Sequence, residues 1–486
     1  MLVDQEPPVA YCEQSNRPIG TTISGGLRVA VVYLGFQGLH WTDRNNRICI
    51  MPFRSITNAN GEIMKNRLSG IVAITACLFV SRPVLADTPS AFGSGFDVQD
   101  FYKPFTLDEI THGNMQFWPY GKYVSAHWDD YGLHGTAQIR RSSKPAILEA
   151  GEPFDLNAEF KDGQSFIESL QATQVKGFVV MKDNKILAEF YDNGFNVEDT
   201  NLLQSASKTF AGVITNQLVD QGLLDPNVTV ETYLEDFKGT DIGAATVQQV
   251  LDMTSGLPTL LDLHTPGAPG QLWEVEIGLQ SGKTKGHRAA IKNTPAVAEP
   301  GEVYNYTDKN TDTLALLAEQ VTGKKYPQLL SELFDAFGAN YDGSIALTSD
   351  GTTSPSYGIS ISARDYALFH QWIAEGKEPG SFYASATDTG KTKFSENEIG
   401  ALLGKGITYG SQTYYMGKEE DILYSSGSFG QLGYSDMKTG ASVVFLQDWA
   451  VNAELDKFFD TRDRALRIIR VLRVREDPRL LRGRTF

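Results

Sequence analysis

The sequence predicts an α+β fold. An antiparallel sheet built from both ends of one unit is flanked by terminal helices, and a mostly helical subdomain is inserted between its strands. Three observations carry this. A β-hairpin pattern opens the unit: Phe178-Val179-Val180-Met181, a polar turn over 182–185, then Ile186-Leu187-Ala188-Glu189-Phe190. Helical periodicity dominates from about 210 to 345. Strand patterns then return at 407–409, 413–416, 421–424, 428–434 and 441–447.

Taken in order, the 486 residues begin with a stretch, 1–63, that shows no sustained periodicity. Met64-Lys65-Asn66-Arg67 follows, then an apolar run over 68–80, then Val84-Leu85-Ala86. A basic start, an apolar core and small residues at the end are the parts of a secretory signal peptide. The expectation is that translation starts at Met64, that 64–86 is removed, and that 1–63 is a non-native upstream extension. Ile74-Thr75-Ala76-Cys77 resembles a lipoprotein cleavage box and ranks second, because apolar residues continue past Cys77. The product would be periplasmic or secreted. The three cysteines, Cys12, Cys49 and Cys77, all precede Ala86, so the mature chain would hold no disulfide or thiolate site. No later apolar run could span a bilayer.

Residues 87–154 form an aromatic-rich extension, with Phe105, Phe117, Trp118, Tyr120, Tyr123, Trp128 and Tyr131 among its members and no clear period. It is expected to wrap irregularly over a larger core. The main unit spans 155–473. A terminal amphipathic helix is expected over 462–473, and 474–486 is expected to be a disordered basic tail. Nine arginines between Arg462 and Arg484 make this end basic. The whole chain carries a formal charge of −16, which argues against nucleic acid as a partner.

The chemistry starts at Gln204-Ser205-Ala206-Ser207-Lys208. Ser205 and Lys208 are three residues apart at the expected start of a helix, whose buried face is Phe210, Val213, Ile214 and Leu218 and whose end is Gly222. Side chains at i and i+3 share a helix face. A lysine amine there can take the proton of a serine that is otherwise a poor nucleophile. The first helical turn also presents N–H groups to a developing oxyanion. Pro300-Gly301 then turns the chain toward Tyr306 and Asp308. Tyr306 could pass a proton between serine, lysine and leaving group, and Asp308 could bond the lysine.

The S-x-x-K spacing is that of the penicillin-binding and β-lactamase superfamily. Four further stretches closely resemble segments of the β-lactamase-related serine hydrolases: 218–226, 246–257, 306–314 with Val321-Thr322-Gly323, and 362–367. Within that group the chain most resembles the 6-aminohexanoate-dimer hydrolase branch and its family VIII esterase relatives. Ser425-Ser426-Gly427-Ser428-Phe429-Gly430-Gln431 falls at that branch's third motif. The resemblance implies a β-lactamase/transpeptidase-like fold. It implies that Ser205 is the acylated nucleophile, Lys208 its base and Tyr306 the proton carrier. The oxyanion hole would be formed by the N–H groups of Ser205 and Ser428, with Asp308, Gly427, Gly430 and Gln431 in support. Asp308 stands where many relatives have asparagine. Ser425 stands where β-lactamases have a lysine or histidine, and Phe429 replaces a histidine of the nylon-hydrolase motif.

No G-x-S-x-G elbow and no H-E-x-x-H appears, which argues against an α/β-hydrolase and a zinc hydrolase. His127 and His134, with Asp129 and Asp130, could gather a metal, but ordinary polar roles are favoured, so no metal and no cofactor are expected. The reading is an exported serine hydrolase acting on a small-molecule ester or linear amide. The alternatives are a cell-wall D-aminopeptidase or carboxypeptidase, a β-lactamase, and a non-catalytic penicillin-binding-type sensor.

Overall fold

The apolar run Phe178-Val179-Val180-Met181 is buried on both sides of a sheet. Phe178 and Val180 face one core, and Val179 and Met181 face another. A strand covered on both faces has no polar alternation to show. The computed structural model describes residues 105–481, apart from 261, 264, 389–393, 395–399, 401–402 and 405, and in addition the short antiparallel pair Trp41–Thr42 and Ile48–Cys49. The expected signal peptide, Cys77 and the last tail residues, 482–486, lie outside the described residues.

In chain order the elements that position the site begin with β1 (Thr136–Ile139), β2 (Glu149–Ala150), α1 (Phe166–Ala172), β3 (Val175–Lys182), β4 (Lys185–Tyr191) and β5 (Thr200–Leu202). The helical region contains α2 (Lys208–Asp220), α3 (Asp308–Thr322) and α4 (Tyr326–Phe337), with shorter helices between α2 and α3. Then come β6 (Gly343–Ala346), β7 (Ile359–Ser362), α5 (Ala363–Ala374), β8 (Thr408–Gly410), β9 (Thr413–Tyr415), β10 (Ile422–Gly427), β11 (Gln431–Asp436), β12 (Ala441–Gln447) and α6 (Leu455–Glu476).

The larger sheet runs β8-β9-β10-β11-β12-β3-β4-β2, so the C-terminal strand β12 pairs antiparallel with the early strand β3. The β3–β4 hairpin turns at Asp183 and Asn184, whose φ angles of 52° and 55° are those of a two-residue type I′ turn. One face of this sheet packs under α1 and α6, through Phe166, Leu170, Ile468, Ile469 and Leu472. The other packs on α2, α4 and α5, through Phe210, Phe334 and Phe369. The expected antiparallel sheet and helical insert are both present, and only the two-residue edge strand β2 pairs parallel, with β4.

A smaller sheet, β1-β6-β7-β5, leads through β5 into the turn that carries Ser205. The aromatic-rich extension therefore does more than wrap the core: β1 forms one edge of this sheet, and Ser125 O accepts a bond from Leu202 N at 2.7 Å. At the other end, α6 runs three residues past Arg473. Two of its arginines are held by bonds: Arg473 bonds Asp436 and Glu420, and Arg475 bonds the carbonyl of Pro153. A 3₁₀ turn, Pro478–Leu481, follows. Among the described residues no helix is long and apolar enough to cross a membrane.

Candidate active site

Ser205 sits in a 3₁₀ turn, Gln204–Ser207, that runs directly into α2, and Lys208 is the first residue of that helix. This places the serine one step earlier than the first α-helical turn expected from sequence. The tighter winding eclipses side chains at i and i+3, and Lys208 Nζ lies 3.1 Å from Ser205 Oγ. The turn is held from both sides. Leu203 N donates to Ile359 O at 2.8 Å, and Ile359 N donates to Ser207 Oγ at 3.1 Å, so β7 grips it. Gln204 takes φ = 52°, a left-handed conformation uncommon for its residue type. Ser205 is half-buried in an otherwise buried stretch from Asn201 to Phe210. The helix closes as expected: Gly222 has φ = 70°, Leu223 N bonds Leu218 O and Gly222 N bonds Val219 O, each at 2.9 Å.

Lys208 is buried and makes two more contacts. Its Nζ donates to Asp308 Oδ1 at 2.7 Å and to the Ser356 carbonyl at 2.6 Å. Two acceptors take two N–H bonds, which leaves the third direction of the nitrogen to Ser205 Oγ and the Tyr306 hydroxyl together. That direction carries a proton in the ammonium and a lone pair in the amine. Burial works against the charge, but the Asp308 carboxylate and the Tyr306 hydroxyl outweigh it and hold the ammonium above the usual lysine range. Lysine as a ready base therefore needs qualification: the resting group is protonated, because Asp308 stands beside it.

Tyr306 places its ring 4.7 Å from Lys208 Nζ and 6.1 Å from the Tyr409 ring. The turn at Gly301 (φ = 91°) and the bonds Gly301 N to Thr254 O and Asn305 N to Met253 O fix its loop. Ser255 Oγ reaches Asn310 Oδ1 at 2.6 Å, so the Met253-Thr254-Ser255-Gly256 stretch braces the loop that carries Tyr306. Asp308 opens α3, and its second oxygen accepts from Trp273 Nε1 at 3.4 Å.

The third motif ends β10. A Cβ on Gly427 would stand 2.1 Å from the Leu203 carbonyl oxygen and 3.0 Å from Ala206 N, so only glycine lets this strand end lie against the Ser205 turn. Ser428 follows immediately. The strand expected over 428–434 starts later, at Gln431, because Phe429 (φ = 63°) and Gly430 (φ = 92°) break the extended backbone. Gln431 ties that turn down. Its Nε2 donates to Gln447 O at 2.8 Å, and its Oε1 accepts from Asn201 Nδ2 at 2.9 Å. A Cβ on Gly430 would stand 2.5 Å from the Trp449 ring. Ser425 is turned inward, bonded to Tyr366 and, at 2.8 Å, to His370 Nε2. Burial pulls His370 down to about 3, so this contact is neutral.

The three residues bonded to Lys208, namely Ser205, Asp308 and Ser356, thus come from three separate segments. Ser356 escaped sequence reasoning, because a backbone carbonyl has no residue signature. Trp273 was also missed. His127 and His134 bond the carbonyls of Tyr123 and Val275, each at 2.9 Å, and do not face each other across a site. Among the described residues no group of three or more potential ligands is placed to hold a metal ion.

The family model for β-lactamase matches residues 178–466. The chain belongs to the β-lactamase family. The 6-aminohexanoate-dimer hydrolase of Paenarthrobacter ureafaciens is 27% identical over 293 residues, 58% of this chain and 74% of its own length. Protein flp of Staphylococcus aureus (strain MW2) is 25% identical over 179 residues, covering 34% of this chain and 33% of its own. A Bacillus anthracis protein provisionally assigned as a 6-aminohexanoate-dimer hydrolase superposes at a TM-score of 0.63 with 20% identity, over 75% of this chain and 98% of its own, a likeness of fold. The family match spans every element from β3 to most of α6, and Ser205, Lys208, Tyr306 and Ser428 all fall inside it. Members of the family are serine hydrolases.

Proposed function

We propose that this chain is an exported serine hydrolase that cleaves an ester or a small linear amide through an acyl-enzyme on Ser205. The observation that carries the reading is the setting of Lys208: Asp308 and Ser356 take two of its N–H bonds, and Ser205 Oγ lies 3.1 Å from the nitrogen, with Tyr306 beside it. Once Lys208 has lost a proton, its lone pair accepts the Ser205 hydroxyl proton as Oγ attacks the substrate carbonyl. The oxyanion is received by the N–H groups of Ser205 and Ser428. Tyr306, beside Lys208, carries the proton to the leaving oxygen or nitrogen. The leaving group departs and the acyl-enzyme remains. Water then attacks the same carbonyl, Lys208 and Tyr306 take its proton, and Ser205 Oγ leaves with a proton restored.

The inward turn of Ser425 supports an ester or linear amide over a β-lactam. A side chain that is 1% exposed and bonded to His370 offers no cation to a β-lactam carboxylate. Export rests on the signal-like sequence of 64–86. The test is turnover of a p-nitrophenyl ester, 6-aminohexanoate dimer, a D-Ala-D-Ala peptide and nitrocefin by the wild type and by Ser205→Ala. Turnover of the ester or the linear amide that vanishes in the variant is expected. Retained activity in Ser205→Ala would overturn the assignment.

A further inference from the structure

His287 and Asp312 form a fully buried pair that the proposed chemistry does not use. Both side chains are 0% exposed, and His287 Nε2 lies 2.8 Å from Asp312 Oδ2. Asp312 also accepts from Ser354 Oγ at 2.8 Å and, through Oδ1, from Ser356 N at 3.0 Å. A buried carboxylate with three donors is held in one orientation. Asp312 therefore anchors Ser356 at its N–H, and the carbonyl of the same residue, across its Cα in the next peptide unit, is an acceptor of Lys208. Asp312 is four residues beyond Asp308 on α3, one turn along the same face, so a single helix supplies the carboxylate that bonds Lys208 and the one that bonds Ser356.

The imidazole reaches the second acceptor too. Its ring packs against Trp273 with centroids 5.0 Å apart, and Trp273 Nε1 donates to Asp308 Oδ2. His287 Nδ1 is 2.8 Å from Thr352 Oγ1, which in turn is 2.7 Å from Thr348 Oγ1 and 2.8 Å from Asp350 Oδ1. The ring is thus fixed at both nitrogens and along one face.

We propose that His287 and Asp312 are positioning residues that fix the Ser356 carbonyl and the Trp273–Asp308 contact, and so set the direction of Lys208 Nζ toward Ser205. The proposal rests on the serine hydrolase reading. A displacement of reacting groups by about 1 Å can cost ~10²-fold in rate. His287→Leu keeps bulk and removes both ring nitrogens, whereas His287→Gln can return an N–H donor to Asp312. Asp312→Asn keeps shape and loses one acceptor.

The experiment measures kcat and KM for a p-nitrophenyl ester and the rate of Ser205 labelling by a fluorophosphonate, with near-UV circular dichroism as the check on native packing. In His287→Leu and Asp312→Asn, kcat and labelling should fall together by roughly ten- to a hundredfold with KM little changed, and His287→Gln should recover most of the loss. If His287→Leu does not fold, Asp312→Asn and His287→Gln carry the comparison. Native-like variants with wild-type kcat, a loss confined to KM, or His287→Gln no better than His287→Leu would overturn the proposal. Failure of the wild type itself to label at Ser205 would overturn the hydrolase reading instead.

Discussion

Asp308 Oδ1 stands 2.7 Å from Lys208 Nζ, and this carboxylate holds the lysine in its charged form against complete burial. The consequence for pH has a definite sign. A base that must first lose a proton works better as pH rises. Asp308→Asn removes the carboxylate and lowers the Lys208 pKa, so the acid limb of the kcat/KM profile should move to lower pH. The pH–rate profiles of the two proteins check this, and an unmoved limb would show that Lys208 does not set it. Stability has the opposite dependence. The lysine pKa is raised on folding, so the contribution of the pair is fully present below the unfolded value of about 10.4 and is lost as pH rises through the folded value.

Tyr306 is assigned to the leaving group. Tyr306→Phe should therefore lower kcat by about 10²–10⁴ for an amide or alkyl ester. The loss should be smaller for a p-nitrophenyl ester, whose leaving group departs as an anion. Parallel assays of the two substrate classes decide it. Equal losses on both would place Tyr306 elsewhere in the cycle.

Gly427 lets the end of β10 lie against the Ser205 turn. Gly427→Ala sets a Cβ against the Leu203 carbonyl and should push Ser428 away from Ser205. Losing one oxyanion donor costs roughly 10²–10³ in kcat. The expected outcome is a fall of that order with the secondary structure kept, read by kinetics alongside far-UV circular dichroism. Wild-type kcat in the variant would remove Ser428 from the oxyanion hole.

Phe210, two residues after Lys208, stacks on Phe369 with ring centroids 3.8 Å apart, and both are fully buried. Phe210→Ala should destabilise the protein by ~3–5 kcal/mol, the range for removing a buried aromatic. Denaturant unfolding measures it. A loss below ~1 kcal/mol would mean that α2 is not anchored to α5 through this pair.

The parts of this molecule that were legible in its sequence are those set by local pattern. The β3–β4 hairpin shows because Asp183 and Asn184 suit a tight turn between apolar runs. Ser205 and Lys208 show because their spacing is the contact itself. What stayed hidden depends on distant segments. The Ser356 carbonyl is 148 residues from Lys208 in sequence. The inward direction of Ser425 follows from strand register against β11 and from the helix bearing His370, neither of which is written in the motif. The start of β11 was misjudged because Phe429 adopts a left-handed φ that its residue type does not announce. Asp312 was within reach, since the four-residue step from Asp308 marks one face of α3. His287 had no such cue.

The central claim is that Ser205 is the residue acylated. Its most direct test is mass spectrometry of the protein trapped with a fluorophosphonate or a slowly turned-over ester, followed by peptide mapping. The account predicts one adduct, on the peptide holding Ser205, and none in Ser205→Ala; an adduct on another residue, or full turnover by Ser205→Ala, would contradict it.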